Sequence, residues 1–287
     1  IIILVPIYND WQSASKLLGE INTNIEGLDC HFSVIIVNDA SSEQQSISTL
    51  STENLQSIKV INMNENRGHA RCIATGLKHI FEKEEFDYVI PMDGDGEDRP
   101  EEIKSFVEYL NYASDKPIVG ERVKRSESLF FKFCYSAHKI LTFAFTGQSI
   151  KFGNYTCLPK STVEKMINDK ATWSSFSGAL TKIEKDRSTV PSTRGPRYFG
   201  PSKMSFKNLL IHSLAIISVF KINVLIRSII FLLVYMFLIH QNISVIMLIP
   251  IPLVILLITL VFSISKREKL NELNNSLSNI SSVDNIK

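Results

Sequence analysis

The chain has 287 residues, a formal charge of +2 and 45% hydrophobic residues. That apolar fraction can offset the entropy of ordering, so bulk disorder is excluded. The near-neutral charge excludes the basic face that non-specific nucleic-acid binding needs, and no nucleic-acid partner is expected.

Residues 1–121 switch between two periodicities. Short apolar, β-branched runs at 1–5, 32–37, 58–63, 88–92 and 118–119 read as strands. Helix-like stretches at 11–25, 69–81 and 100–112 separate them. Strands alternating with helices predict βαβ units and a mainly parallel sheet, which binds ligands at the carboxyl ends of its strands. Those ends read Pro6-Ile7-Tyr8-Asn9, Asn38-Asp39-Ala40-Ser41, Asn64-Glu65-Asn66-Arg67-Gly68 and Asp93-Gly94-Asp95.

Residues 122–200 are less regular. An aromatic-rich helix is predicted over 128–145, a strand over 152–158 and a loop over 191–201.

The mean hydropathy of +0.08 is an average over two unlike regions. Residues 222–265 hold one charged side chain, Arg227, whereas the rest of the chain is about 24% charged, an ordinary soluble value. Apolar segments at 222–239 and 243–264, joined by His240-Gln241-Asn242, predict a transmembrane hairpin long enough for about 30 Å of hydrocarbon. Lys203, Lys207, Lys221 and Arg227 flank its entry, and Lys266, Arg267 and Lys269 its exit. The positive-inside rule then puts both ends and the large domain in the cytoplasm, making a multi-pass inner (cytoplasmic) membrane protein. The expected layout is a domain at 1–203, an amphipathic interfacial segment at 204–220, two membrane helices within 221–264, and a mobile or weakly helical polar tail at 265–287. An amphipathic core helix is an equal reading of 204–220. Self-packing of the hairpin into a homo-oligomer is also open. The chain opens with Ile1 in an apolar run without a basic segment, so no signal peptide is expected. The four cysteines show no CxxC spacing and read as buried thiols.

The strongest local signal is Asp93-Gly94-Asp95-Gly96-Glu97. Three alternate carboxylates at a strand end repel one another unless a cation sits among them, and hard oxygen ligands suit Mg²⁺ or Mn²⁺. A solvated acidic turn is the plain alternative. Asp39 closes a second strand, where a turn or cap is also a sufficient reading. No GxGxxG follows the first strand and no GxxxxGK[ST] occurs, which removes the main support for dehydrogenase and P-loop chemistry.

Val5-Pro6-Ile7-Tyr8-Asn9, Val37-Asn38-Asp39-Ala40-Ser41, Asn66-Arg67-Gly68 and Asp93-Gly94-Asp95-Gly96-Glu97-Asp98-Arg99-Pro100-Glu101 together resemble family 2 glycosyltransferases of GT-A fold. Arg197-Tyr198-Phe199-Gly200-Pro201-Ser202-Lys203, which fits an RxxGxSK stretch, and the apolar pair narrow the resemblance to the polyprenyl-phosphate glycosyltransferases of the dolichol-phosphate mannose synthase type.

The resemblance implies an α/β, Rossmann-like GT-A domain followed by the membrane hairpin. It implies inverting transfer of a sugar from a UDP- or GDP-linked donor to a membrane polyprenyl phosphate. It places Pro6, Tyr8, Asn9, Asp39, Asn66, Gly68, Asp93 and Arg122 at the nucleotide sugar, although a surface arginine is an equal reading of Arg122. Asp93, Asp95 and Glu97 would hold Mg²⁺ or Mn²⁺. Arg197, Ser202 and Lys203 would meet phosphates of donor or lipid acceptor, and Asp95, Arg197 and Lys203 are the expected catalytic set. Three departures stand out. Asn38-Asp39-Ala40 replaces the common Asp-Asp-Gly, Glu97 stands where the lipid-phosphate branch often has Gln, and 173–180 holds no acid to act as a general base. The alternatives are a transferase acting on a sugar hydroxyl, with Glu184 or Asp186 as the nearby acids, and a non-catalytic membrane scaffold.

Overall fold

The computed structural model describes residues 1–47, 52–112, 115–124, 139–201 and 205–287. They form two compact units: 1–126 with 151–203 and 269–287, and 127–150 with 204–268.

The first unit is built on an eight-stranded sheet of order β7-β5-β6-β4-β1-β2-β3-β8. Strands β1 (Ile2–Ile7), β2 (Phe32–Asn38), β3 (Leu55–Met63) and β4 (Tyr88–Pro91) are mutually parallel, so their carboxyl ends share one edge. All six residues of β1 are buried, as expected of a central parallel strand covered on both faces. Helix α1 (Trp11–Asn24) turns Trp11, Ala14, Leu17, Leu18 and Ile21 inward, a three-to-four-residue spacing that makes one apolar stripe. Helix α2 (His69–Lys83) buries Cys72, Ile73, Leu77 and Ile80. Helix α3 (Ile103–Leu110) adds Ile103 and Phe106 to the core.

Strands β5 (Ile118–Lys124) and β6 (Thr156–Pro159) continue the sheet by antiparallel pairing of β6 with both β4 and β5. The region expected to be irregular also carries two helices after the short helix α4 at 139–146: α5 (Lys160–Ile167) and α6 (Phe176–Ile183). The Ser175 hydroxyl caps α6 by accepting from the Gly178 amide at 3.2 Å.

Two expectations are corrected. The loop expected from residue 191 begins inside a strand: β7 (Ser188–Thr193) pairs in parallel with β5. Pro191 is accommodated because β7 is an edge strand, where a missing N–H costs no ladder bond. The polar tail, expected to be mobile or weakly helical, forms a short helix and also a strand. Helix α11 (Leu270–Asn274) buries Leu273 against Ala74 and Trp173, and β8 (Ile280–Asn285) closes the sheet antiparallel to β3. Asn and Ser side chains hid this strand because its stabilisation comes from the β3 ladder and not from an apolar face. Cys72 and Cys157 are buried free thiols as expected, Cys30 is half-buried, and Cys134 lies outside the described residues.

The second unit is helical: α4, then α7 (Phe206–Ser218), α8 (Lys221–Ile239), α9 (Val245–Leu248) and α10 (Pro250–Ser265). Ile217, Val224 and Val261 form its small core. Tyr235 donates to the Met247 carbonyl at 2.7 Å near the turn, and Lys221 donates to Ser265 Oγ at 3.3 Å at the other end. Large apolar side chains face outward, with Leu233 67%, Phe237 74% and Leu238 72% exposed. An unpartnered apolar surface of this kind is what hydrocarbon covers. Both apolar segments are long enough to cross a membrane. The one charged side chain within 222–265, Arg227, donates to the Ala144 carbonyl at 3.2 Å, and Asn223 donates to the Thr146 carbonyl at 3.2 Å, so both satisfy the free carbonyls at the end of α4.

Candidate functional site

The site lies at the carboxyl edge of β1–β4. After β1, Asn9 takes a left-handed backbone, with φ of 50°. Its Oδ1 accepts from the amides of Ser42 (2.9 Å) and Glu43 (3.2 Å), and its own amide donates to Ser41 Oγ at 2.8 Å. The loops after β1 and β2 are thereby tied together. Asp39 is buried, and its two oxygens accept from the amides of Arg67 and Gly68, each at 2.8 Å. This pairing ties the end of β2 to the start of α2. Burial pushes the Asp39 carboxyl up, and the two amides partly offset that shift.

The acidic segment follows β4. Asp93 Oδ1 stands 3.3 Å from His69 Nε2 and accepts from Asn154 Nδ2 at 3.3 Å. Burial opposes the Asp93 charge, yet His69, with Arg194 and Arg122, holds its carboxyl well below the usual range. Burial would lower the His69 pKa, but the Asp93 charge raises it. Asp95 is pushed up to about 6 by burial and by the neighbouring Asp93 charge. Asp98 is fully enclosed, accepts from the Asp93 amide at 3.0 Å, and is pushed up to about 7 by the same two causes.

A strap at 194–199 lies over this segment. Gly195 donates to the Glu97 carbonyl and Tyr198 to the Asp95 carbonyl, each at 2.9 Å. Arg194 pairs with Glu97, and Arg197 pairs with Asp95 and, at 2.7 Å, with Asp10. Gly96 has φ of 83° and lies directly against the Tyr198 ring, so no side chain fits there. Lys16 Nζ lies over that ring, 4.5 Å from its centroid.

The model of the family described as glycosyl transferase family 2 matches residues 2–172, more than half of the chain. The chain belongs to this family. Its curated relatives include undecaprenyl-phosphate 4-deoxy-4-formamido-L-arabinose transferases. That of Salmonella choleraesuis is 28% identical over 215 residues, and that of Klebsiella pneumoniae 26% over 216, each match covering 72% of this chain and 63% of the relative. This family 2 chain therefore spans less than two thirds of the length of those relatives. Among solved structures, glucosyl-3-phosphoglycerate synthase of Mycobacterium tuberculosis, crystallised with Mn²⁺, UDP and phosphoglyceric acid, superposes with a TM-score of 0.55 at 13% identity over 78% of each chain. That likeness shows the GT-A fold.

Within this family 2 chain, the structure brings Asn9, Asp39, Gly68, Asp93, Asp95, Glu97 and Arg197 to the strand-end edge. Pro6 is buried in β1, Tyr8 is 43% exposed just beyond it, and Asn66 is exposed before α2. Arg122 lies close enough to act electrostatically on Asp93 and Asp98, and its guanidinium packs over Gly153. Ser202 and Lys203 lie outside the described residues. The three carboxylates expected to share a metal are differently disposed. Among the described residues no three His, Cys, Asp or Glu side chains converge as a metal-ligating group. Instead Asp93 turns to His69, Asp95 to Arg197 and Glu97 to Arg194. As donors, Asp93 and Asp95 still fit a hard divalent cation: both offer carboxylate oxygens, and the Asp93 charge adds to burial in raising Asp95.

Sequence reading missed Asp10, His69, Asp98, Asn154 and Arg194. Arg194 and Asp98 adjoin residues already marked and were within reach of a charge-matching argument. His69 and Asn154 become partners only through the fold.

Proposed function

We propose that the chain transfers a sugar from a nucleotide sugar to a membrane polyprenyl phosphate, inverting the anomeric centre. The observation that carries this reading is one chain joining a half-buried acid–arginine cluster at a GT-A strand edge to two helices apolar enough to span a membrane. The names of the curated relatives support the undecaprenyl-phosphate class of acceptor. Pro6, Tyr8, Asn9, Asn66 and Gly68 line the base and ribose side. Asp39 acts there by fixing the Arg67–Gly68 turn, and Arg122 steadies the acidic segment from the far side. Arg197 meets the phosphates, and Ser202 and Lys203, outside the described residues, are assigned to them by the RxxGxSK stretch alone.

Asp93 and Asp95 are the residues that would hold a divalent ion, Mg²⁺ or Mn²⁺, with Glu97 behind them. When bound, that ion neutralises the donor diphosphate. An oxygen of the lipid phosphate attacks the anomeric carbon, a new carbon–oxygen bond forms, and the bond to the nucleoside diphosphate breaks with its electron pair on the leaving oxygen. A sugar hydroxyl would need a base, but a phosphate monoester is already anionic near pH 7. The two acids considered for a base are engaged elsewhere: Glu184 with Lys165 at 2.7 Å and Asp186 with Lys116 at 2.5 Å. That disfavours a hydroxyl acceptor. Arg194 and Arg197 are placed to exchange carboxylate for phosphate partners as charge develops on the leaving group.

The apolar pair anchors the chain in the inner membrane as a multi-pass protein, with the first unit on the cytoplasmic side and α7 at the interface. Transfer of radiolabelled sugar from UDP- and GDP-linked donors to polyprenyl phosphate in membranes tests the reading. Asp95→Ala is expected to lower turnover by at least about 10²-fold, and excess EDTA to abolish it. Undiminished transfer by Asp95→Ala, or in EDTA, overturns the metal role.

A further inference from the structure

The tail carries a polar relay that runs from the last strand to the site. Asp284 on β8 accepts from Asn62 Nδ2 at 2.7 Å. Asn62 Oδ1, on β3, accepts from Asn38 Nδ2 at 2.8 Å. Asn38 Oδ1, at the end of β2, accepts from the Ser41 amide at 3.0 Å, and Ser41 Oγ accepts from the Asn9 amide at 2.8 Å. Four hydrogen bonds thus cross β8, β3 and β2 to the loop after β1.

The direction of this relay follows from donor and acceptor inventory. An ionised carboxylate only accepts, so Asn62 must turn its NH₂ toward Asp284 and its oxygen toward Asn38. Asn38 must then donate to Asn62, which turns its own oxygen toward Ser41. Asn62 Nδ2 also donates to Ser282 Oγ at 3.0 Å, but a hydroxyl can donate as well as accept, so without Asp284 either amide can flip, and a flipped Asn38 points an NH₂ at the Ser41 N–H. The Asp39–Ser41 turn would then lose the bond that holds Ala40 in the left-handed region, at φ of 55°. The same segment also holds the β3–α2 loop: Asn64 donates to the Asn279 carbonyl at 2.7 Å, and Asn279 Nδ2 to the Glu65 carbonyl at 3.3 Å.

We infer that Asp284, through Asn62 and Asn38, is a positioning residue for the nucleotide-binding edge, so that the chain beyond the apolar helices completes the donor site. This inference rests on the donor reading above. It gives β8 a role in substrate affinity that a simple edge cover would not have.

The test uses the full-length chain in lipid nanodiscs, with UDP and GDP in the presence of Mn²⁺ as calorimetric probes and transfer assays for kcat and KM. Asp284→Ala is expected to weaken nucleotide binding and raise the donor KM about fivefold, the scale of one hydrogen bond, with kcat and the KM for polyprenyl phosphate within about twofold. Asp284→Asn, which still offers an oxygen to Asn62 but no longer forces its direction, is expected to weaken nucleotide binding less than Asp284→Ala. Val283→Ala, on the same strand with no part in the relay, is expected to leave nucleotide affinity unchanged. Equal affinity in Asp284→Ala, or equal weakening in all three variants, overturns the positioning role while leaving the donor reading intact. Failure of the unsubstituted chain to bind either nucleotide overturns the donor reading and this inference together.

Discussion

The two units handle charge in opposite ways. The first buries Asp39 and Asp98, half-buries Asp93 and Asp95, and matches all four with arginine, histidine and backbone amides. The second holds a single charge between 222 and 265, Arg227, whose guanidinium meets a helix-end carbonyl. Burying a charge costs several kcal/mol unless it is paired, so a dense cluster persists only where partners are built in. The first unit supplies those partners from four separate stretches of chain. The second places its other charges outside the 222–265 stretch, where its long helices present apolar side chains.

The largest expected effect breaks the comparison from the apolar side. Leu256 on α10 is 53% exposed. Leu256→Asp puts a charge where hydrocarbon is expected and costs about 3 kcal/mol of insertion. Membrane-bound protein after alkaline extraction is expected to fall well below the unsubstituted level, while UDP or GDP binding by the first unit is retained. Unchanged membrane retention would show that α10 does not cross the bilayer.

A smaller effect sharpens the comparison through pH. Asp95 must lose its proton to accept a cation, and its carboxyl sits near 6. Mn²⁺ affinity is therefore expected to fall about tenfold per pH unit below 6 and to level off above 7. Metal-free stability has the opposite sign. Asp95 and Asp98 hold protons in the folded state up to about 6 and about 7, whereas the unfolded carboxyls lose them near 3.8. Stability from these two groups is full below about pH 4 and is lost as pH rises to 7. His69, also raised, adds to that loss; Asp93, lowered, acts only at more acid pH. Thermal unfolding in EDTA is expected to show a lower midpoint at pH 7.5 than at pH 5.5. Opposite slopes for metal affinity and apo stability identify the cluster as strained by its own charges. Parallel slopes would show that its arginines already neutralise it.

Much of this difference was legible in the sequence. Strand ends carrying Asp39 and Asp93–Asp95 announced the polar edge, and the single charge in 222–265 announced the apolar pair. Arg197 was found because its motif precedes the apolar region. The tail was not legible: β8 is Asn- and Ser-rich, with only Ile280 and Val283 as apolar residues, so no period-2 pattern marks it. Its pairing with β3 spans over 200 residues, and local propensity carries no information about a partner so distant. The separation of Asp93, Asp95 and Glu97 onto three different bases was equally hidden. It depends on where the 194–199 strap returns.

The smallest effect concerns backbone strain. Among the described residues the two non-glycine positions with positive φ, Asn9 and Ala40, follow β1 and β2 at the same edge as the acids. Asn tolerates the left-handed region through its local hydrogen bonds, but Ala has no such compensation, and the conformation costs it about 1 kcal/mol. Glycine removes the Cβ conflict while losing some unfolded-state entropy, so Ala40→Gly is expected to stabilise the chain by a few tenths to about 1 kcal/mol. For a unit of this size that is a rise of roughly 1–4 °C in Tm. The relay from Asp284 holds the turn from outside Ala40, so nucleotide affinity is expected to stay within about twofold. A lower Tm would mean that the β2 turn relaxes out of the left-handed region in solution. A higher Tm with weaker nucleotide binding would mean that the strain at Ala40 itself sets the geometry of the edge.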